Sequence, residues 1–145
     1  MKHLFRISSE KGQSAVEFAL VLPLLLVLLL GIIEFGWFLN AKITITGAAR
    51  EGARHYAIHK DDEAGVINIV GDYLSLNNID NITIDTDTDL DYSPKIAIVT
   101  VTGDVSGITG AFNGLMDVFF GGEVLSENKV RMTSTASMRI EYNLP

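Results

Sequence analysis

Residues 12–39 read GQSAVEFALVLPLLLVLLLGIIEFGWFL, and how this stretch is read settles the architecture of the whole chain. From Phe18 to Leu39 it is a run of 22 residues rich in Leu and Val, interrupted only by Glu34. A helix rising about 1.5 Å per residue makes this run about 33 Å long, which matches a hydrocarbon core of about 30 Å. The segment is therefore expected to span a membrane. A secretory signal peptide carries an apolar core of about 7–15 residues before its cleavage site, and this core is too long for that. Thr46-Gly47-Ala48-Ala49 keeps a cleaved signal sequence as a minor alternative. Pro23 removes one backbone hydrogen bond and presses on the carbonyl of Ala19, so a kink is expected there rather than a break. Trp37 stands at the far end, where interfacial aromatics collect.

Outward from the span, charge is placed unevenly over the 145 residues, whose net charge is −7. Lys2, Arg6 and Lys11 outweigh Glu10 before the span. After residue 60, fourteen carboxylates stand against four cations and leave −10. So acidic a domain has little to offer nucleic acid, whose phosphates call for Lys and Arg. The chain has no cysteine, which excludes disulfides, thiolate metal sites and a Cys nucleophile. Three histidines, His3, His55 and His59, leave little material for acid and base chemistry near neutral pH. The length allows an anchor and one small domain.

Flanking charge does not orient the span, because Lys42, Arg50, Arg54 and Lys60 follow it as Lys2, Arg6 and Lys11 precede it. The junction Glu10-Lys11-Gly12-Gln13-Ser14-Ala15-Val16-Glu17-Phe18 is more informative: a short basic leader ends in Gly, and a carboxylate follows at the fifth position, then an aromatic. In this the sequence resembles a type IV prepilin. The resemblance implies cleavage between Gly12 and Gln13 by a membrane aspartyl peptidase, an assembly role for Glu17 beside Phe18, a cytoplasmic N-terminus and an outer C-terminal domain. The stretches VEFALVLPLLLVLLLGIIEFG (residues 16–36) and AAREGARHYA (residues 48–57) further resemble the TadE-like family of minor prepilin-like proteins of tight-adherence (Flp) pilus systems. The likeness is close over residues 12 to about 57 and general beyond.

A carboxylate at the edge of a lipid-buried helix costs on the order of 2–3 kcal/mol on insertion scales, which favours a partner for Glu17. In a bundle of processed chains the new α-amino group of a neighbour's Gln13 would serve; the alternative is solvation among the headgroups. For Glu34, near the outer interface, solvation is the expected account.

Beyond the span, Ala41, Ile45, Ala48, Gly52, Tyr56 and His59 recur on one helical face, so the helix is expected to continue as a stalk to residue 60. The run Ile43 to Gly47 is weakly helical, and a bend there is a possibility the sequence leaves open. Small residues Ala48, Ala49, Gly52 and Ala53 allow close helix packing, either on a neighbouring subunit or on the chain's own sheet. A second helix is expected over residues 61–74, with Val66, Ile69, Val70, Tyr73 and Leu74 as its apolar stripe and Asn77-Asn78 as its end.

Three strands are expected next. Residues 82–90 alternate, with Ile82, Ile84, Thr86, Thr88 and Leu90 on one face. Tyr92-Ser93-Pro94 turns the chain. Residues 96–102 are apolar on both faces and suit a central strand. Residues 130–142 place Val130, Met132, Ala136, Met138, Ile140 and Tyr142 inward. The fold class is thus α+β and pilin-like: a long transmembrane and stalk helix, a second short helix and a three-stranded antiparallel sheet. The organisation is a leader (1–12), a transmembrane and stalk helix (13–60) and an extracytoplasmic α+β domain (61–145). Between the last two strands, Leu115, Met116, Phe119 and Phe120 form an apolar patch, read as a capping helix or as a subunit contact.

Asp85, Asp87 and Asp89 are weak metal candidates, since neither register of an EF-hand loop places its Gly and Glu and the alternation puts all three on one wet face. His55 and His59 share a helix face but lack the Glu of a zinc-protease helix and a third ligand. No nucleotide-binding or hydrolase motif is present, so no catalytic residue, cofactor or metal is expected and the chain is not read as an enzyme. The expectation is a minor pilin-like subunit of a tight-adherence pilus or its assembly machinery. It would be a single-pass protein of the bacterial cytoplasmic membrane, supporting adhesion and biofilm formation. Its partners would be other pilin or pseudopilin subunits, pilus assembly proteins, the prepilin peptidase and membrane lipid, with no nucleic acid. The alternative is an unprocessed, signal-anchored protein whose acidic domain binds a ligand or cation.

Overall fold

The computed structural model describes residues 9–59, 62–75, 79–89, 91, 94–108, 110 and 129–140, with side chains from Gly12 onward. One helix, α1 (Ser9–Ile58), is 50 residues long, or about 75 Å. It runs without interruption through Pro23 and Gly47. The threonines after the apolar run turn their hydroxyls back onto the helix: Thr44 Oγ1 donates to the Asn40 carbonyl at 3.0 Å and Thr46 Oγ1 to the Lys42 carbonyl at 2.8 Å.

The second helix, α2 (Glu63–Leu74), starts two residues later than expected because Asp62 is its N-cap, its carboxylate accepting from the Gly65 amide at 2.9 Å. Val66, Val70 and Leu74 form its buried stripe. Tyr73 and Ile69, expected in that stripe, are respectively exposed and half-buried. Tyr73 instead lays its ring along Gly47 of α1, where a Cβ would stand 3.1 Å from Cε1.

Strands β1 (Ile79–Asp89), β2 (Ile96–Ser106) and β3 (Lys129–Arg139) form one antiparallel sheet in the order β1-β2-β3. The expected α+β architecture is the one observed. Ala97, Val99, Val101 and Val105 of the central strand are fully buried, with the stalk half of α1 packed on this strand. β2 runs four residues further than the sequence indicates, because Gly103 and Asp104 still pair with Met132 and Arg131.

The first strand begins at Ile79, three residues before its expected start, and between Asp80 and Thr83 its register slips. Asn81 takes φ 49° there, a left-handed conformation that Asn tolerates. The extra residue changes which parity faces the core: Ile79 is buried, then Ile84, Thr86 and Thr88 point inward, and Ile82, expected on the buried face, is exposed. Ile79 lies over Gly103, where a Cβ would come within 2.4 Å of Ile79 Cγ2.

In β3, Met132 and Ala136 pack on the core, whereas Val130 and Met138, expected inward, are exposed at the strand's two ends. Met138 borders an open recess with Arg54, Ala57 and Ile58, where α1 ends and no longer covers the sheet. Ile140 is half-buried, and Leu90 and Tyr142 lie outside the described residues.

Candidate functional site: a bare apolar helix joined to its head

Over its first half, α1 has none of the other described elements against it. Phe18, Leu24, Leu28, Ile32 and Phe35 are all more than half exposed, an arrangement water would penalise at roughly 25 cal/mol per Å² of apolar surface. This half contains a stretch long and apolar enough to cross a membrane. Gly12, Gln13, Glu17 and Phe18 stand exposed at its beginning. The Gln13 side-chain amide donates to Glu17 Oε1 at 3.1 Å, one helical turn apart. Within one chain the carboxylate thus meets an amide rather than a cation.

Over its second half the same helix is clothed. Ala48, Ala49, Gly52 and Ala53 are buried in the chain's own core. A Cβ at Gly52 would stand 3.0 Å from Val70 and 3.3 Å from both Val66 and Val99, where α1, α2 and β2 converge. The small residues bring the chain's own α2 and sheet close. The junction between the two halves is built around Glu34 and Trp37. Glu34 is 6% exposed, against the solvated position expected for it. Trp37 Nε1 donates to the Ser106 carbonyl at 3.0 Å.

Two polar clusters escaped sequence reading. Arg131 binds Asp104 with Nε and Nη2 at 2.8 and 3.2 Å, and Asn81 adds a third donor at 3.0 Å. These bonds, Arg131 foremost, hold the Asp104 carboxyl down to about 2 and push the Arg131 guanidinium up. A signal existed, an acid directly after Gly103 in an otherwise apolar strand, but its partner is fixed only by strand register. At the α1–α2 corner, His55 Nε2 lies 2.8 Å from Asp62 Oδ2, and His59 stacks on His55 with ring centroids 4.2 Å apart. The His55 contact, followed by the Gly65 amide, lowers the Asp62 pKa.

Asp85 and Asp87 are exposed, and Asp89 half-exposed, on the outer face of edge strand β1. Asp87 and Asp89 accept from the Thr88 and Asp91 amides. Among the described residues no group of three or more His, Asp or Glu is placed to hold a metal ion. Leu115, Met116, Phe119 and Phe120 lie outside the described residues.

A helix with its apolar half exposed and its other half packed under a small α+β head is the architecture of a chain that one helix could anchor in a membrane. Within that architecture, residues 12–54 match the model of the family described as TadE-like protein, a match that takes in the bare half and most of the stalk and ends before α2. The family match points to a protein associated with the tight-adherence pilus and anchored in a membrane. Comparison with curated proteins and with solved structures gives no match.

Proposed function

We propose that the chain is a minor pilin-like subunit of a tight-adherence pilus or of its assembly machinery, acting by association and not by catalysis. The observation that carries this reading is where the TadE-like match falls: on the half of α1 whose apolar side chains stand exposed among the described residues, together with the stalk that supports the head. Processing after Gly12 would free an amine at Gln13. In a bundle of such helices that cation would meet Glu17 of a neighbour in place of the intrachain amide, relieving the carboxylate's desolvation. The prepilin peptidase, other pilin subunits and membrane lipid are its partners in this account. The N-terminus lies in the cytoplasm, the head outside, and surface adhesion is the end use.

The test is the intact mass and N-terminal sequence of the protein from cells with and without their prepilin peptidase. A peptidase-dependent start at Gln13 supports the reading. A Met1 start in both strains overturns it and leaves a signal-anchored protein. Given processing, Glu17→Ala is expected to remain in the membrane fraction while pilus assembly is lost, measured by shear-released pilus protein. Normal assembly would remove Glu17 from the account.

A further inference from the structure

The exposed apolar surface of α1 is longer than a hydrocarbon core. It extends from Val16 to Ile43, the latter 68% exposed, or about 40 Å along the axis. That length equals a bilayer with its headgroup layers, about 40–45 Å, rather than the core of about 30 Å. The last part of this surface runs alongside the head. Trp37 holds Ser106, and higher up Thr46 meets Ser134 and Arg54 lies beside Met138. β3 therefore climbs along α1, and the end of the sheet where Ser106 pairs with Lys129 stands at the height of Trp37. Just past it, Ile108 exposes 53% of its surface.

From this geometry we propose that the end of the sheet nearest Trp37, Ser106 to Ile108 with Lys129, is a lipid-docking surface that lies within the phospholipid headgroup layer. The proposal rests on the reading of α1 as a membrane span. The surface continues the lipid-facing stripe of Phe35, Leu39 and Ile43, all exposed. Its charge is compatible with phospholipid despite the acidic head. Asp80 and Asp104, the carboxylates described at this end of the sheet, are paired with Lys129 and Arg131. Asp85, Asp87 and Asp89 sit toward the opposite end of β1. The bond from Trp37 to Ser106 fixes the depth, so the head rests on the bilayer instead of swinging on a stalk.

The chain has no native cysteine, so single cysteines report position directly. Full-length Leu25→Cys, Ile108→Cys and Asp87→Cys variants carry an environment-sensitive fluorophore in nanodiscs of phosphatidylcholine, with and without phosphatidylglycerol. Lipids spin-labelled near the headgroup or deep in the tail act as quenchers. The expected result is deep quenching at residue 25 and blue-shifted emission with shallow quenching at residue 108 in both compositions. Residue 87 is expected to be quenched by aqueous iodide alone. Iodide quenching at residue 108 equal to that at residue 87, with residue 25 still deep, overturns the docking surface and leaves the anchor intact. Failure of deep quenching at residue 25 overturns the anchor, and the docking surface with it.

Discussion

At the scale of single residues, close approach is the decisive constraint. Gly103 has Ile79 lying over it, so Gly103→Val must displace either Ile79 or the strand. The expected loss is about 1–3 kcal/mol, read as a lower denaturation midpoint of the detergent-solubilised chain. Asp104 supplies a pH signature. Its folded pKa, about 2, lies below the ordinary carboxylate value, so the bonds from Arg131 and Asn81 stabilise the fold fully above the unfolded pKa. That contribution is lost as pH falls from about 4 through 2. Thermal unfolding across this window is expected to show a steeper acid loss for the native chain than for Asp104→Asn. Parallel profiles would mean that the cluster adds nothing. The Gly-acid pair at residues 103 and 104 is visible in the sequence, but its partners lie on strands 23 and 27 residues away.

At the scale of elements, the corner between α1 and α2 depends on one carboxylate. Asp62 caps α2 through the Gly65 amide and holds His55 of α1 with its other oxygen. Substitution Asp62→Ala is expected to lower the melting temperature and to raise amide exchange at Gly65 and in the first turn of α2, with the core of β2 unchanged. Exchange confined to its native rate would contradict the cap. Sequence reading found α2 to within two residues, because three acids before an apolar stripe mark a helix start. It could not see that Asp62 stops outside the helix, since that depends on the turn's backbone angles. The first strand shows the same limit. Its period-2 alternation was plain from Ile84 onward, but the bulge at Asn81 reverses parity, so the inward residue is Ile79 and Ile82 turns to solvent.

For the molecule as a whole, the two halves of α1 answer to different solvents. Among the described residues the buried core begins at Ala41 and is drawn from the stalk half of α1, α2 and the sheet. A chain starting at Asn40 therefore retains that core while losing most of the bare apolar surface. Such a head is expected to be folded and water-soluble, with mixed helix and strand signals in circular dichroism and a monomeric elution volume. It loses the partly buried Trp37 and Phe38 and so melts below the full-length protein. An unfolded product would show that the head depends on the span.

What the sequence determined by itself was the division of labour along the chain. A 22-residue run broken only by Glu34 is long enough to demand lipid or a partner wherever it is placed, and a stripe at helical spacing carries the same helix onward. Strand alternation fixed the sheet, and local composition alone sufficed for each of these. Tertiary structure decided which faces meet. It turned the small residues Ala48, Ala49, Gly52 and Ala53 toward the chain's own α2 and sheet, buried Glu34, and tied Trp37 to Ser106 across 69 residues. Such contacts join segments distant in sequence, and their partners follow from strand register and helix crossing, which no local window of residues specifies.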